Sequence, residues 1–235
     1  MSGEPLSLYQ KIRKDIETKI LSGTWAPGHR IPFEKDLMAQ YDCARMTVNK
    51  AIASLVDAGL IVRRRRVGSF VAQPHIQSVV LDIPDIKADI LARGRSYKIK
   101  LTSQKIRKAS TEEERLLAGN GRVITLRCLH YANGRPFALE DRIINLKAVP
   151  AAEAVDFSVQ PPGSWLLAHV PWTEAEHRIT AINADAGIAK ALDIRPQSAC
   201  LALDRRTWRN KNNITRVRQV FPGDAYDLIA RFKSN

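Results

Sequence analysis

Cysteine is scarce and scattered. Cys43, Cys128 and Cys200 are the only three in 235 residues, which fits neither a disulfide framework nor a pair-spaced zinc site. They read as reduced, small side chains. No apolar run approaches the roughly 20 residues that span a bilayer, and the amino end, Met1-Ser-Gly-Glu-Pro-Leu-Ser, has no basic segment followed by an apolar one. A cytoplasmic protein with no membrane partner is expected. Also missing are a nucleophile with a nearby base, a glycine-rich phosphate loop and a metal-ligand cluster. His130 and His177 have no second ligand three or four residues away, so they read as structural, and neither a metal nor a cofactor is expected. Negative charge is the other shortage: 24 acidic residues against 37 basic ones leave a net charge of +13. That excess favours a polyanionic partner, since neutralising phosphates releases condensed counterions.

Against these absences, 45% apolar residues are enough for a core in each of two domains. Leu8, Ile12, Ile16 and Ile20 recur every fourth residue among charged ones, which predicts an amphipathic helix over 8 to 22, stopped by Gly23. A segment with two prolines and a glycine leads to a second helix from about Phe33 to Tyr41. Asp42 and Cys43 make a turn. A third helix follows, with Val48, Ala51, Ile52, Leu55 and Val56 on one face and Arg45, Asn49 and Ala53 on another. After Gly59, two short β-like runs, Leu60-Ile-Val and Ser69-Phe-Val, flank Arg63-Arg-Arg-Arg-Val-Gly. Helix, turn, helix and a basic hairpin make a winged helix-turn-helix. In that setting Arg45 is placed to fork onto guanine, Asn49 to pair with adenine, and the arginines Arg63, Arg64, Arg65 and Arg66 to meet phosphate or the minor groove.

Residues 6 to 72 resemble the DNA-binding domain of GntR-type bacterial transcription regulators. The marks are Pro5-Leu-Ser-Leu-Tyr-Gln, Pro27-Gly-His-Arg-Ile-Pro, Glu34 with Leu37, Ala44-Arg-Met-Thr-Val-Asn-Lys-Ala-Ile, Gly59-Leu-Ile and Gly68-Ser-Phe-Val. The resemblance implies that Lys35, Arg45, Thr47 and Asn49 touch DNA, with Gly68 at the wing tip. Two positions depart from the family. Phe33 replaces the serine or threonine that caps the second helix, at a cost of roughly 1 kcal/mol, and Val67 stands where the wing more often has a small or basic residue.

From Ala72 to Ile83 an extended linker is expected, then a short helix from Pro84 to Gly94. Beyond it, Val123 to Tyr131 and Phe137 to Ile144 read as strands joined at Asn133-Gly134, an antiparallel hairpin. Thr111 with Glu114 marks a capped helix start, and Asn183 to Leu192 a further short helix. Strands are expected over Glu174 to Ile182, Ala199 to Trp208 and Thr215 to Phe221. The class is α+β, with domains at 1–75 and 94–235 and a linker with a short helix at 76–93.

Residues 94 to 232 are similar to the UTRA effector-binding domain, of chorismate-lyase-like fold. The carrying features are Arg93-Gly-Arg-Ser, Leu126-Arg, Asn133-Gly-Arg-Pro-Phe-Ala-Leu-Glu, Gly163-Ser-Trp-Leu-Leu, Ala175-Glu-His-Arg-Ile and Pro222-Gly-Asp-Ala-Tyr-Asp-Leu. The wording around Leu129 to Arg142 and Val170 to Ile179 is close to the HutC branch of histidine-utilisation repressors. That resemblance implies a repressor of histidine-utilisation genes, released from a double-stranded operator by urocanate, and a homodimer is expected because one recognition helix covers only a few base pairs. Urocanate is a flat anion with an imidazole ring, so it calls for arginine, a carboxylate or hydroxyl, and an aromatic face. Candidates are Glu140 and Arg142, two apart on one strand face; Glu174, Glu176 and Arg178, spaced likewise; and Arg127, Tyr97 and Trp172. Two rival readings stand beside it: a regulator answering to a sugar phosphate, and an enzyme using Glu140 with Arg178. No catalytic constellation supports the second, and fold kinship does not carry activity.

Overall fold

The computed structural model describes residues 7–72 and 85–227 of the chain. The expected linker falls, from residue 73 to residue 83, outside the described residues.

The first unit is α1 (Leu8–Leu21), α2 (Glu34–Tyr41), α3 (Arg45–Asp57) and the two-stranded wing β1 (Ile61–Arg64) and β2 (Gly68–Val71). Ile12, Ile16 and Ile20 are fully buried, as their spacing predicts, while Leu8, at the open end of α1, is exposed. They pack on Leu37 of α2, Val48, Ala51, Ile52 and Leu55 of α3, and Ile61 and Val71 of the wing. Phe33 is the N-cap of α2 and donates no cap; its ring lies under the Arg30 guanidinium at 4.2 Å instead. The wing differs from expectation at the strand ends: Leu60 precedes β1, and Gly68 opens β2 instead of lying in the tip. Arg63 and Arg64 belong to β1 rather than to the tip, because each pairs across the hairpin, with Ser69 and Gly68.

The second unit carries α4 (Ile86–Ala92), β3 (Tyr97–Lys108), α5 (Glu112–Ala118), β4 (Arg122–Ala132), β5 (Arg135–Asn145), a 3-10 turn (Pro150–Ala154), α6 (Pro162–His169), β6 (Glu174–Asn183), α7 (Ala186–Leu192), β7 (Ala199–Arg209) and β8 (Asn212–Pro222). Its six strands form one antiparallel sheet in the order β3-β4-β5-β8-β7-β6. The α+β class and the antiparallel pairing are as the sequence predicts. Asn133 and Gly134 both adopt positive φ, 49° and 76°, at the β4–β5 turn, the geometry for which Asn-Gly is favoured. Thr111 and Glu114 close a reciprocal capping box on α5, and Asp85 caps α4.

Two layers of helices cover the sheet. On one face α7 packs over Leu129, Leu139, Ala202 and Val220. On the other, α4 covers Phe137, Leu203 and Phe221, and α6 with the 3-10 turn covers Ile124, Leu126 and Ile144. Between these two apolar patches the second face carries polar side chains. Among the described residues no helix is long and apolar enough to cross a membrane, and no group of three or more His, Cys, Asp or Glu is placed to hold a metal ion.

Candidate functional site

The first candidate surface is a groove of about 850 Å³ between the starts of α2 and α3 and the wing, lined among others by Lys35, Arg45, Arg63, Arg64, Arg65, Arg66 and Gly68. Seven consecutive positions of the wing, 63 to 69, together with the starts of α2 and α3, thus bring the expected basic residues to one side. Arg45 opens α3 with a side chain 73% exposed, and its Nε donates to Glu34 Oε2 at 3.0 Å. That bond orients the guanidinium from α2 and leaves both terminal nitrogens clear of the helix. Thr47 and Asn49 are half-buried, and Asn49 Oδ1 accepts from Arg63 Nη2 at 3.1 Å, so α3 and the wing are tied together. Lys35 is exposed on α2.

The wing tip is held by residues that the sequence pattern did not single out. Arg30 Nη2 donates to the Val67 carbonyl at 2.7 Å, and a Cβ at Gly68, where φ is 126°, would come within 3.5 Å of the same guanidinium. Arg64 covers the Phe70 ring at 5.0 Å. Arg65 and Arg66 stand exposed, and Arg66 takes a left-handed φ of 61°. Met46, beside Arg45, is 77% exposed, an apolar side chain available to thymine methyl groups.

The second site lies on the inner face of the six-stranded sheet. Glu140 and Arg142 of β5 are both buried, and Arg142 Nε donates to Glu140 Oε1 at 2.7 Å. Gln219 Nε2, from β8, donates to Glu140 Oε2 at 2.7 Å. Burial alone would raise the Glu140 pKa, but the Arg142 charge and His130 hold it well below the ordinary carboxylate range. Tyr97 closes this end: its hydroxyl hydrogen-bonds His130 Nδ1 at 2.9 Å, and burial together with Glu140 raises its pKa.

Arg205 of β7 is 3% exposed, and none of the ion pairs among the described residues includes it. Its Nη1 and the Nη2 of Arg142 have no hydrogen-bond partner, nor has Trp172 Nε1. Burial and the Arg142 charge pull its pKa down to about 9. Both guanidinium groups border a cavity of about 20 Å³ with Gly163, Leu166, Trp172, Thr207 and Thr215, room for about one water molecule. α6 forms its roof, and Ser164 Oγ of that helix donates to Asp85 Oδ1 at 2.8 Å. His177 pairs with Arg205 in the strand register; both its ring nitrogens are unpartnered, and burial with the Arg205 charge lowers its pKa to about 4.

Four expected pocket residues are elsewhere. Glu174, Glu176 and Arg178 share a face of β6, but that face is exposed and the inward positions are Ala175, His177 and Ile179. Arg127 is on the opposite face from Glu140 and Arg142, where its Nε donates to Asp141 Oδ1 at 2.7 Å. Alternation gives which residues go together, while the side that is covered depends on where the helices land. Conversely Arg205, Gln219 and Thr207, absent from the expected set, are brought in by β7 and β8. Their signal was faint: Arg205, Thr207 and Gln219 share the inward parity of the buried apolar residues Leu203, Val217 and Phe221 on the same two strands.

Comparison with known proteins agrees with this geometry. Residues 8–71 match the family of bacterial regulatory proteins of gntR type, and residues 92–227 match the UTRA domain. The chain is 36% identical over 232 residues to the histidine utilization repressor of Klebsiella aerogenes, covering 98% of this chain and 96% of the relative. It is 36% identical to that of Pseudomonas aeruginosa, covering 98% and 93%. Among solved structures, the C-terminal domain of the histidine utilization repressor of Pseudomonas syringae superposes with a TM-score of 0.55 at 32% identity, over 59% of this chain and all of that one. PhnF of Mycobacterium smegmatis shares the fold over 95% of this chain and all of its own, with a TM-score of 0.57 at 21% identity. The chain, a DNA-binding transcription regulator and not an enzyme, belongs to the GntR family, in the branch that joins a winged helix-turn-helix to a UTRA effector domain.

Proposed function

We propose that this protein represses histidine-utilisation genes by occupying their operator as a homodimer, and that urocanate releases it. Support for the gene set comes from the near full-length similarity to histidine utilization repressors of two genera. A dimer follows from the reach of one recognition helix, which covers only a few base pairs, so that two heads about one DNA turn apart are needed for a palindromic site. In each head Arg45 and Asn49 read base edges, Lys35 and Thr47 contact the backbone, and Arg64 to Arg66 supply affinity.

The observation that carries the effector reading is the uncompensated charge under α6. Glu140 and Arg142 neutralise one another at 2.7 Å, which leaves Arg205 as a buried cation with a free Nη1. A buried charge without a partner costs several kcal/mol, and a monoanionic ligand removes that cost. A carboxylate placed between Arg142 Nη2 and Arg205 Nη1 does so with charge-assisted hydrogen bonds. The ring of the ligand then meets Trp172 and Thr207, which border the cavity. A phosphate dianion would leave one negative charge over, which favours urocanate above a sugar phosphate.

A panel of histidine-pathway compounds and sugar phosphates against thermal unfolding tests the assignment. Urocanate at a hundred times its dissociation constant should add about 2.7 kcal/mol to the folded state. Stabilisation by a sugar phosphate and none by urocanate would replace the effector while leaving the family intact.

A further inference from the structure

The two units come together at more than one place: a Cβ at Gly23 would lie 3.9 Å from His169 of α6, and the units are hydrogen-bonded at the β7–β8 turn. Asn210 and Lys211 join β7 to β8, and Asn210 takes φ of 52°, a left-handed conformation that asparagine tolerates better than most residues. Its backbone N–H donates to Thr173 Oγ1 at 2.7 Å, and its side-chain Nδ2 donates to the carbonyl of Asp57 at 2.6 Å. Asp57 is the last residue of the recognition helix α3. The fit around this bond is close. A Cβ at Gly59, where φ is 67°, would lie 2.8 Å from Asn210 Oδ1 and 2.9 Å from Thr173 Cγ2. Glycine alone satisfies both the backbone angle and the space, so the residue that stops α3 also admits the second unit to its end.

The same turn is the outer end of the pocket wall. Trp172 and Thr207 border the cavity beside Arg205, and Thr173, which follows Trp172, donates its N–H to the Trp208 carbonyl at 2.9 Å. The roof helix α6 runs through Val170 and Pro171 directly into Trp172. With room for about one water molecule, the cavity admits a larger ligand only if this roof and wall shift.

We infer that Asn210 is a positioning residue for the reading head, held by Thr173 in the closed pocket and bonded to the end of α3, so that an effector entering under α6 breaks this link. The closed, linked form holds the head in the orientation that fits the operator. When the ligand displaces α6 and Trp172, Thr173 withdraws its acceptor and the Asn210–Asp57 bond is lost. A freed head must then lose orientational freedom to bind, which weakens the complex. The proposal rests on the effector reading above for the trigger, and on the observed contacts for the link.

Two variants of the full chain test it: Asn210→Gly, which keeps the backbone angle and removes the amide, and Thr173→Val, which keeps the shape and removes the acceptor. Binding to operator and to random duplex is measured by fluorescence anisotropy at fixed salt, with and without urocanate, alongside thermal stabilisation by urocanate. Loss of one such hydrogen bond should weaken effector-free operator binding roughly 3- to 10-fold. Random duplex should be bound as before, the release factor should shrink by the same ratio, and urocanate should still stabilise both variants. Variants that bind and release the operator like the wild type overturn the link. Should urocanate fail to stabilise the wild type, the effector identity falls, and effector-free operator affinity alone decides: weakened in both variants it upholds the link, unchanged it refutes it.

Discussion

Arg45 is read through Glu34. The carboxylate takes Arg45 Nε at 3.0 Å, leaving the two terminal nitrogens for guanine O6 and N7, so Arg45→Ala should cost roughly 1 to 3 kcal/mol, more on operator than on random DNA. Glu34→Gln should reproduce part of that loss on the operator and none of it in an Arg45→Ala background. Equal losses on both DNAs would reduce Arg45 to a phosphate contact. Arg205 gives the matching experiment in the pocket. Since it is buried with Nη1 unpartnered, Arg205→Met should abolish stabilisation by urocanate while leaving the effector-free melting temperature equal or higher, because an unpaired buried charge is removed. A marked fall in melting temperature without ligand would make Arg205 a structural residue. Neither partner relation could be read from one sequence: Glu34 and Arg45 are eleven residues apart, and Arg142 and Arg205 sixty-three, so only the fold makes them neighbours.

At the level of elements, the wing and strand β6 carry the predictions. Alanine at Arg64 and Arg65 should weaken binding to all sequences and flatten the dependence on salt, because these side chains contribute counterion release rather than base contacts; an unchanged slope would remove the wing from the interface. In β6, His177 is depressed from 6.5 to about 4. Between those values the unfolded chain binds a proton that the folded chain refuses, so stability is full above pH 6.5 and falls as pH drops towards 4. Partial exposure of the ring reduces the effect to on the order of 2 kcal/mol, and melting curves of His177→Gln should lack that part of the slope. The same strand shows where periodicity stops informing. Alternation correctly grouped Glu174, Glu176 and Arg178, but the covered face belongs to His177, and a parity of two has no sign until something packs on one side. Local chemistry was legible where it acts locally: the Thr111–Glu114 box, the Asn133-Gly134 turn and the isoleucine stripe of α1. Strand β3, with Tyr97, Ile99 and Leu101 alternating with lysines, and the roof α6 were not among the elements expected. α6 is short and mostly apolar, so it has no stripe to read.

For the whole molecule, charge and order of parts were in the sequence, and the connection between them was not. A net +13, a basic hairpin after a helix-turn-helix and a strand-rich second half predict a reader and a controller. One link between them is a two-residue turn against the end of α3, where Asn210 and Asp57, 153 residues apart, are hydrogen-bonded. No periodicity marks such a contact. A monoanion settling on Arg142 and Arg205 should loosen the grip on DNA, and the direct measurement is a titration of urocanate into the operator complex at fixed salt, followed by anisotropy. Operator affinity should fall as urocanate fills the pocket, with no such fall for the Arg205→Met variant. Operator affinity unchanged at urocanate concentrations that saturate thermal stabilisation would contradict the account.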